Sequence, residues 1–268
     1  MLNLKYKFIF SIKYRLIIFT LLTSVVTSSA YAQRVLRVGT AADIPPFSYL
    51  NEKNELAGFD FDIGNAICEQ IEVKCEWTDH NFEDLIPALQ AGKLDMVVAS
   101  MTITDERKNL VSFTDKYYSD AMRLIVPADL NVSDDLKELE GKKIGVLSGT
   151  NVDAYSHAVL VDQGVRVIRY DRQLAIYEDL LTNKIQGAFD NGIAAEMAFL
   201  AKPYGEDYKF TENVYDDPQY FGLGIGIAVK RGNSALVNQL NTAIKTIREN
   251  GKYQEIQGKY FTNDIYGH

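Results

Sequence analysis

At 268 residues with 47% hydrophobic side chains, the chain can bury a substantial core, which excludes general disorder. Its formal net charge of −8 argues against nucleic acid or anionic lipid surfaces as partners. The charge is unevenly placed. Lys5, Lys7, Lys13 and Arg15 come without any acidic residue, an apolar run from Leu16 to Val26 follows, and Ala30-Tyr31-Ala32 closes the segment. A basic start, a short apolar stretch and an A-x-A site make residues 1–32 a signal peptide, cut after Ala32. A membrane anchor is the rival reading, but Leu16 to Val26 is shorter than the roughly 17–25 residues of a spanning helix. The first cysteine is Cys68, so no lipid-attachment cysteine follows the cut and a released protein is expected. Losing the four basic residues takes the formal charge from −8 to −12.

From Val35 onward the elements alternate. Val35 to Gly39 reads as a strand, Asp60 to Ile71 as a helix with apolar residues at helical spacing, and Val73 to Trp77 as a strand. Phe82 to Ala91 is an amphipathic helix ended by Gly92, Leu94 to Ala99 a buried strand, and Thr104 to Lys108 a short helix. The β-α-β-α-β order predicts a sheet with helices on both faces. The two cysteines of this unit, Cys68 and Cys75, are expected to form a disulfide in an exported chain. Zinc is the alternative, but two thiols without nearby His or Cys make a poor site.

A second α/β unit follows. Strands are expected at Leu124 to Val126, Lys143 to Leu147, Val165 to Tyr170 and Gln186 to Phe189. Helices are expected near Asp134 to Leu139, after Asn151, and over Leu174 to Asn183 and Ile193 to Ala201. Phe221 to Val229 is a Gly-rich apolar strand, and helices over Ser234 to Glu249 and Tyr253 to Tyr260 close the chain. No Pro/Gly/polar linker separates the units, which favours two lobes joined by strand crossings over independent domains.

Ligands of open α/β sheets bind at the carboxyl ends of strands. Here those ends carry Asp43 and Ile44, then Ser100-Met101-Thr102 with Arg107, then Thr150-Asn151, then Asp190-Asn191. Hydroxyls, amides, a carboxylate and one guanidinium suit a small zwitterion, with Arg gripping its carboxylate in two parallel hydrogen bonds. Each residue also has a plain structural role open to it. Arg107 suits a helix surface, Ser100, Thr102 and Asp190 suit helix caps, and Ser148-Gly149-Thr150 suits a strand-to-helix turn.

At these loops the chain resembles the periplasmic amino-acid-binding proteins of ATP-driven (ABC) uptake systems, solute-binding protein family 3. The nearest branch is the lysine/arginine/ornithine- and histidine-binding type. The resemblance runs from Val35 to Gly267. It rests on Pro46-Phe47, Gly58 to Asp62, the Cys68/Cys75 pair, Phe82 to Pro87, Ile103 to Arg107, Phe113-Thr114-Asp115, Gly145 to Gly149, Tyr220 to Gly222 and Lys259 to Phe261. It implies a two-lobed α/β periplasmic binding protein fold, two sheets joined by two hinge strands. Residues 33–121 and 222–268 would form lobe 1 and residues 122–221 lobe 2. It also implies a periplasmic monomer that delivers an amino acid or derivative to a membrane permease, with no cofactor, metal or catalytic residue. Phe82 would stack on the ligand side chain. Arg107, Ser100 and Thr102 would hold its carboxylate, with Met101 beside them, and Thr150-Asn151 would help from the other lobe. Departures from the branch stand at Ile44, where an aromatic lid is usual, at Ala41, where an acid meets a cationic side chain, at Ala99 and at Asn191. Asp43, Asp60 or Asp190 would then take over the missing acidic roles.

The rival class is an enzyme on the same fold, a periplasmic cyclohexadienyl-dehydratase-like protein. It would need a general acid in the cleft, and Glu196 is the one candidate on the helix after Asp190. No Ser/His/Asp, Cys/His or metal-ligand constellation accompanies it. A binder of an opine-like conjugate is a third reading.

Overall fold

Residues 33–267 are described in a computed structural model, and the expected signal segment, residues 1–32, lies outside them. The first part runs β1 (Val35–Thr40), β2 (Asp43–Ile44), β3 (Ser48–Leu50), β4 (Leu56–Ala57), α1 (Phe59–Gln70) and β5 (Lys74–Asp79). Then come α2 (Leu85–Gln90), β6 (Met96–Val97), α3 (Asp105–Lys108) and β7 (Val111–Tyr118). The second part holds β8 (Met122–Pro127), β9 (Lys143–Leu147), α4 (Asn151–Tyr155), β10 (Arg166–Tyr170), α5 (Gln173–Leu181), β11 (Gly187–Asn191), α6 (Gly192–Ala195) and β12 (Tyr208–Tyr215). A helical turn α7 (Pro218–Phe221), β13 (Ile225–Lys230), α8 (Ser234–Glu249) and α9 (Lys252–Gln257) complete the chain.

Two five-stranded sheets share one plan. The first has the order β5-β1-β6-β13-β7 and the second β10-β9-β11-β8-β12. In each, the first three strands pair in parallel, the fourth runs against them, and the fifth is antiparallel to the fourth. Parallel strands are buried on both faces and read as continuous apolar runs, which is why β9 and β11 were legible. The strands β7 and β12 lie at the sheet edges, and no expectation had covered them. The chain passes between the sheets twice, between Tyr118 and Met122 and again between Tyr215 and Ile225.

The return passage corrects one expectation. A single strand over Phe221 to Val229 is interrupted at its start, because Gly222 and Gly224 have φ of 62° and 128° and the strand begins only at Ile225. A Cβ on Gly222 would lie 2.0 Å from the Ile103 carbonyl oxygen, so only glycine fits this crossing. The Phe82 to Ala91 helix starts as a tight turn over Phe82–Asp84 before α2. The expected helix at 134–139 shrinks to a turn at Lys137–Leu139.

Helix α8 shows the sequence logic most plainly. Leu236, Leu240, Ala243, Ile244 and Ile247 recur at three- and four-residue spacing and are all buried. Its N-cap Asn233 accepts a hydrogen bond from the Leu236 N–H at 3.3 Å. Helix α1 buries Phe59, Ile63, Ala66 and Ile67, and the Cys68–Cys75 disulfide ties its end to β5 with a Cα–Cα distance of 6.1 Å. Phe47, Phe59, Tyr118 and Phe261 form an aromatic cluster, Phe47 stacking on Tyr118 at 4.7 Å.

Candidate functional site

Both sheets deliver loops from the carboxyl ends of their strands to one cleft. Its walls include Ile44, Phe82, Ser100 and Thr102 from the first part, and Thr150, Asn151, Asp190 and Asn191 from the second. Met122, Leu147, Val152 and Gln173 also line it, none of which sequence reasoning had singled out. The space open to the centre of a water-sized sphere among them is about 40 Å³, room for a few waters.

The loop after β6 is set by a buried acid. Ser100 has φ of 52°, a left-handed conformation that costs energy in a residue with a side chain. Asp60 stabilises it by accepting hydrogen bonds from the Ser100 N–H at 2.6 Å and hydroxyl at 3.0 Å, while Tyr117 donates to its other oxygen at 2.7 Å. Burial pushes the Asp60 carboxyl up to about 6. Asp60 thus shapes the loop from within and is absent from the cleft wall. Ser100 and Thr102 face the cleft, so the residue between them turns away. Met101 is fully buried and is not part of the cleft wall.

Arg107 is held from both sides of the cleft. Its guanidinium donates to the Thr102 carbonyl at 3.0 Å and to the Gly149 carbonyl at 3.0 Å, and it lies over the Phe82 ring at 5.4 Å. Both acceptors are neutral, and no carboxylate among the described residues pairs with it. Desolvation pulls its pKa down to about 10, so it remains charged at neutral pH. The cap of α3 is Thr104, which accepts from the Arg107 N–H at 3.3 Å, leaving Thr102 free of that duty. Across the cleft, Asn151 donates to the Thr102 hydroxyl at 3.2 Å. Thr150 caps α4 by accepting from the Asp153 N–H at 3.2 Å.

The acidic side is built around Gln173, the first residue of α5. Its N–H donates to Asp43 at 2.5 Å and its side-chain amide to Asp190 at 2.7 Å. Tyr177, one turn along α5, also donates to Asp190. Burial raises both carboxyls, Asp190 to about 7, with the nearby charge of Asp43 adding to the effect. The capping residue of α6 is Asn191, whose side chain accepts from the Ala194 N–H at 3.0 Å, so Asp190 is not the cap. Asp43 is buried behind Ile44 on β2 and meets Arg172 at 3.9 Å. Glu196, the acid a dehydratase would need, is exposed and outside the cleft wall.

The model of the bacterial extracellular solute-binding proteins, family 3, matches residues 36–263. The chain belongs to that family. It is 43% identical to an L-arginine-binding protein of Pseudomonas aeruginosa over 88% of this chain and 91% of that one. It is 35% identical to the lysine/arginine/ornithine-binding periplasmic protein of Escherichia coli over 92% of this chain and 95% of that one. Among solved structures, an arginine-specific periplasmic binding protein of Salmonella typhimurium superposes with a TM-score of 0.79 at 32% identity, covering 85% of this chain and all of that one. The two sheets are therefore the cores of the two lobes of a periplasmic binding protein, and the chain binds a solute rather than transforming one.

Proposed function

We propose that this solute-binding protein captures a cationic amino acid, arginine foremost, and presents it as a monomer to the permease of an ABC transporter. The observation that carries the reading is a set of buried charges at the cleft: Asp190 stands in its wall, while Arg107 and Asp43 lie outside the wall and are hydrogen-bonded to the wall residues Thr102 and Gln173. One desolvated guanidinium, Arg107, has only neutral partners, and two desolvated carboxylates, Asp43 and Asp190, share Gln173. A solute with one carboxylate and two cationic groups complements that set. In this reading Arg107 and Thr102 hold the carboxylate, with Ser100 beside them once its hydroxyl turns from Asp60, Asp190 holds the α-ammonium and Asp43 the side-chain cation, while Phe82 stacks on its stem. Asp43 thereby fills the acidic role missing at Ala41. The names of the relatives, which bind arginine, lysine, ornithine or histidine, support the same class.

Ligands that bind only the folded state raise the melting temperature by mass action. Arginine, lysine, ornithine and histidine should each raise it, and glutamine and leucine should not. A larger shift with the neutral amino acids would reject the reading. The periplasmic site of the relatives is extended here to export with cleavage after Ala32, the lobes dividing at residues 121/122 and 221/222. The mass of the exported protein should correspond to a chain beginning at Gln33; an intact N-terminus would reject the cleavage.

A further inference from the structure

Opening the cleft must break every contact that crosses it, including contacts that touch no ligand. Two ion pairs do so at the edges of the site. Arg172, the residue before α5, meets Asp79 at the end of β5 in a two-pronged pair of 3.1 and 2.9 Å. Arg169, at the end of β10, approaches Glu83 at 3.6 Å. None of these four residues belongs to the cleft wall.

The two arginines differ in what they keep when the lobes part. Arg169 also grips Asp153 of its own lobe at 2.8 Å, so it retains a carboxylate in the open form. Both carboxylates near Arg172, Asp79 and Asp43, lie on the opposite lobe. Asp79 is moreover held in place by the Ala42 N–H at 2.8 Å, so it presents a preset acceptor. Separation therefore exchanges the whole pair for water on both sides, and closure restores it.

We infer that Asp79 and Arg172 form a closure latch, positioning residues that set how long a solute stays bound. The inference rests on solute capture in this cleft, because apparent affinity scales with the stability of the closed form. The pair is partly exposed, with side chains 31% and 39% accessible, so its effect is modest and weakened by salt.

The test measures arginine dissociation by stopped flow and the lobe separation of the ligand-free protein by electron spin resonance between labels at Lys93→Cys and Asp162→Cys. Arg172→Ala should speed dissociation about fivefold at low salt, the scale of a partly exposed pair. It should lengthen the ligand-free separation. Asp79→Ala should do the same, and Arg172→Ala should add little in the Asp79→Ala background. Arg37→Ala provides a matched control, since Arg37 makes an equally two-pronged pair with Asp95 inside one lobe at 2.9 and 2.8 Å. Equal effects of Arg37→Ala and Arg172→Ala would overturn the latch, as would unchanged dissociation and separation in Arg172→Ala. If the parent protein fails to bind arginine, the proposed ligand falls and the ligand-free separation alone decides. A longer separation in Arg172→Ala then sustains the latch, and an unchanged one removes it.

Discussion

Arg107 on the first lobe and Asp190 on the second are both buried charges with uncharged hydrogen-bond partners, yet burial leaves them in different states at neutral pH. Desolvation brings Arg107 only to about 10, whereas it lifts Asp190 to about 7. The guanidinium starts so far above neutrality that the loss leaves it charged, while the carboxyl is moved into the physiological window. The carboxylate grip of the proposed site is thus permanent, and its ammonium grip depends on pH.

The most severe way to break this contrast is to remove the permanent charge. Arg107→Ala should weaken arginine binding about 30-fold or more in calorimetric titration, because stranding a buried partner costs about 2–5 kcal/mol. Arg107→Lys should recover little, since an ammonium cannot make the same fork. Unaltered affinity in Arg107→Ala would mean that the solute is not held by its carboxylate there. Because Arg107 also joins Thr102 to Gly149, its loss will loosen the closed form as well, a role that sequence position did not reveal.

Asp190→Asn should weaken arginine binding about tenfold at pH 8, roughly the cost of losing one charge-assisted contact. In the parent protein, affinity should fall about tenfold between pH 8 and pH 6 as the carboxyl near 7 becomes protonated. The variant should lose that pH dependence; a slope that persists in it would move the titration to another group, Asp43 first. Stability should respond with the opposite sign. A carboxyl raised to about 7 in the fold but near 3.8 when unfolded binds its proton more readily in the native state. The native state is therefore favoured at low pH and loses that advantage as pH rises toward 7. Ligand-free Asp190→Asn should consequently melt a few degrees higher than the parent at pH 8, with the gap shrinking toward pH 5. Its amide can be accommodated, because the Tyr177 hydroxyl and the Gln173 amide can each reverse donor and acceptor roles.

Much of the fold was legible because period and punctuation were strong. The span Ser234 to Glu249 was readable as a helix from its apolar stripe, and β9 from its unbroken apolar run before Ser148-Gly149. Edge strands β7 and β12 carry the weaker signal of mixed polar and aromatic alternation, as in Tyr208-Lys-Phe-Thr-Glu-Asn-Val-Tyr215. Of the residues expected at the site, Ser100, Thr102, Ile44, Phe82, Thr150, Asn151, Asp190 and Asn191 meet around one cleft. Three others are absent from its wall: Met101, which alternation around a left-handed Ser100 sends into the core, and Asp43 and Arg107, which are hydrogen-bonded to wall residues. Gln173 offered no sequence signal as a hub. Its function depends on a backbone N–H and an amide that reach Asp43, 130 residues away, and Asp190.

The sequence by itself determined the α/β class, the order of the central strands and main helices, the disulfide partners and the residue types offered at the strand ends. These depend on local periodicity, turn chemistry and short spacing, all of which act between near neighbours along the chain. Tertiary structure alone decided which acids are desolvated, that Asp60 supports a loop while Asp190 lines the cleft, and that Arg172 finds its carboxylates on the other lobe. Burial and pairing across 93 residues are properties of the folded surface, because a charge acquires its pKa and its partner only when the chain removes water from around it.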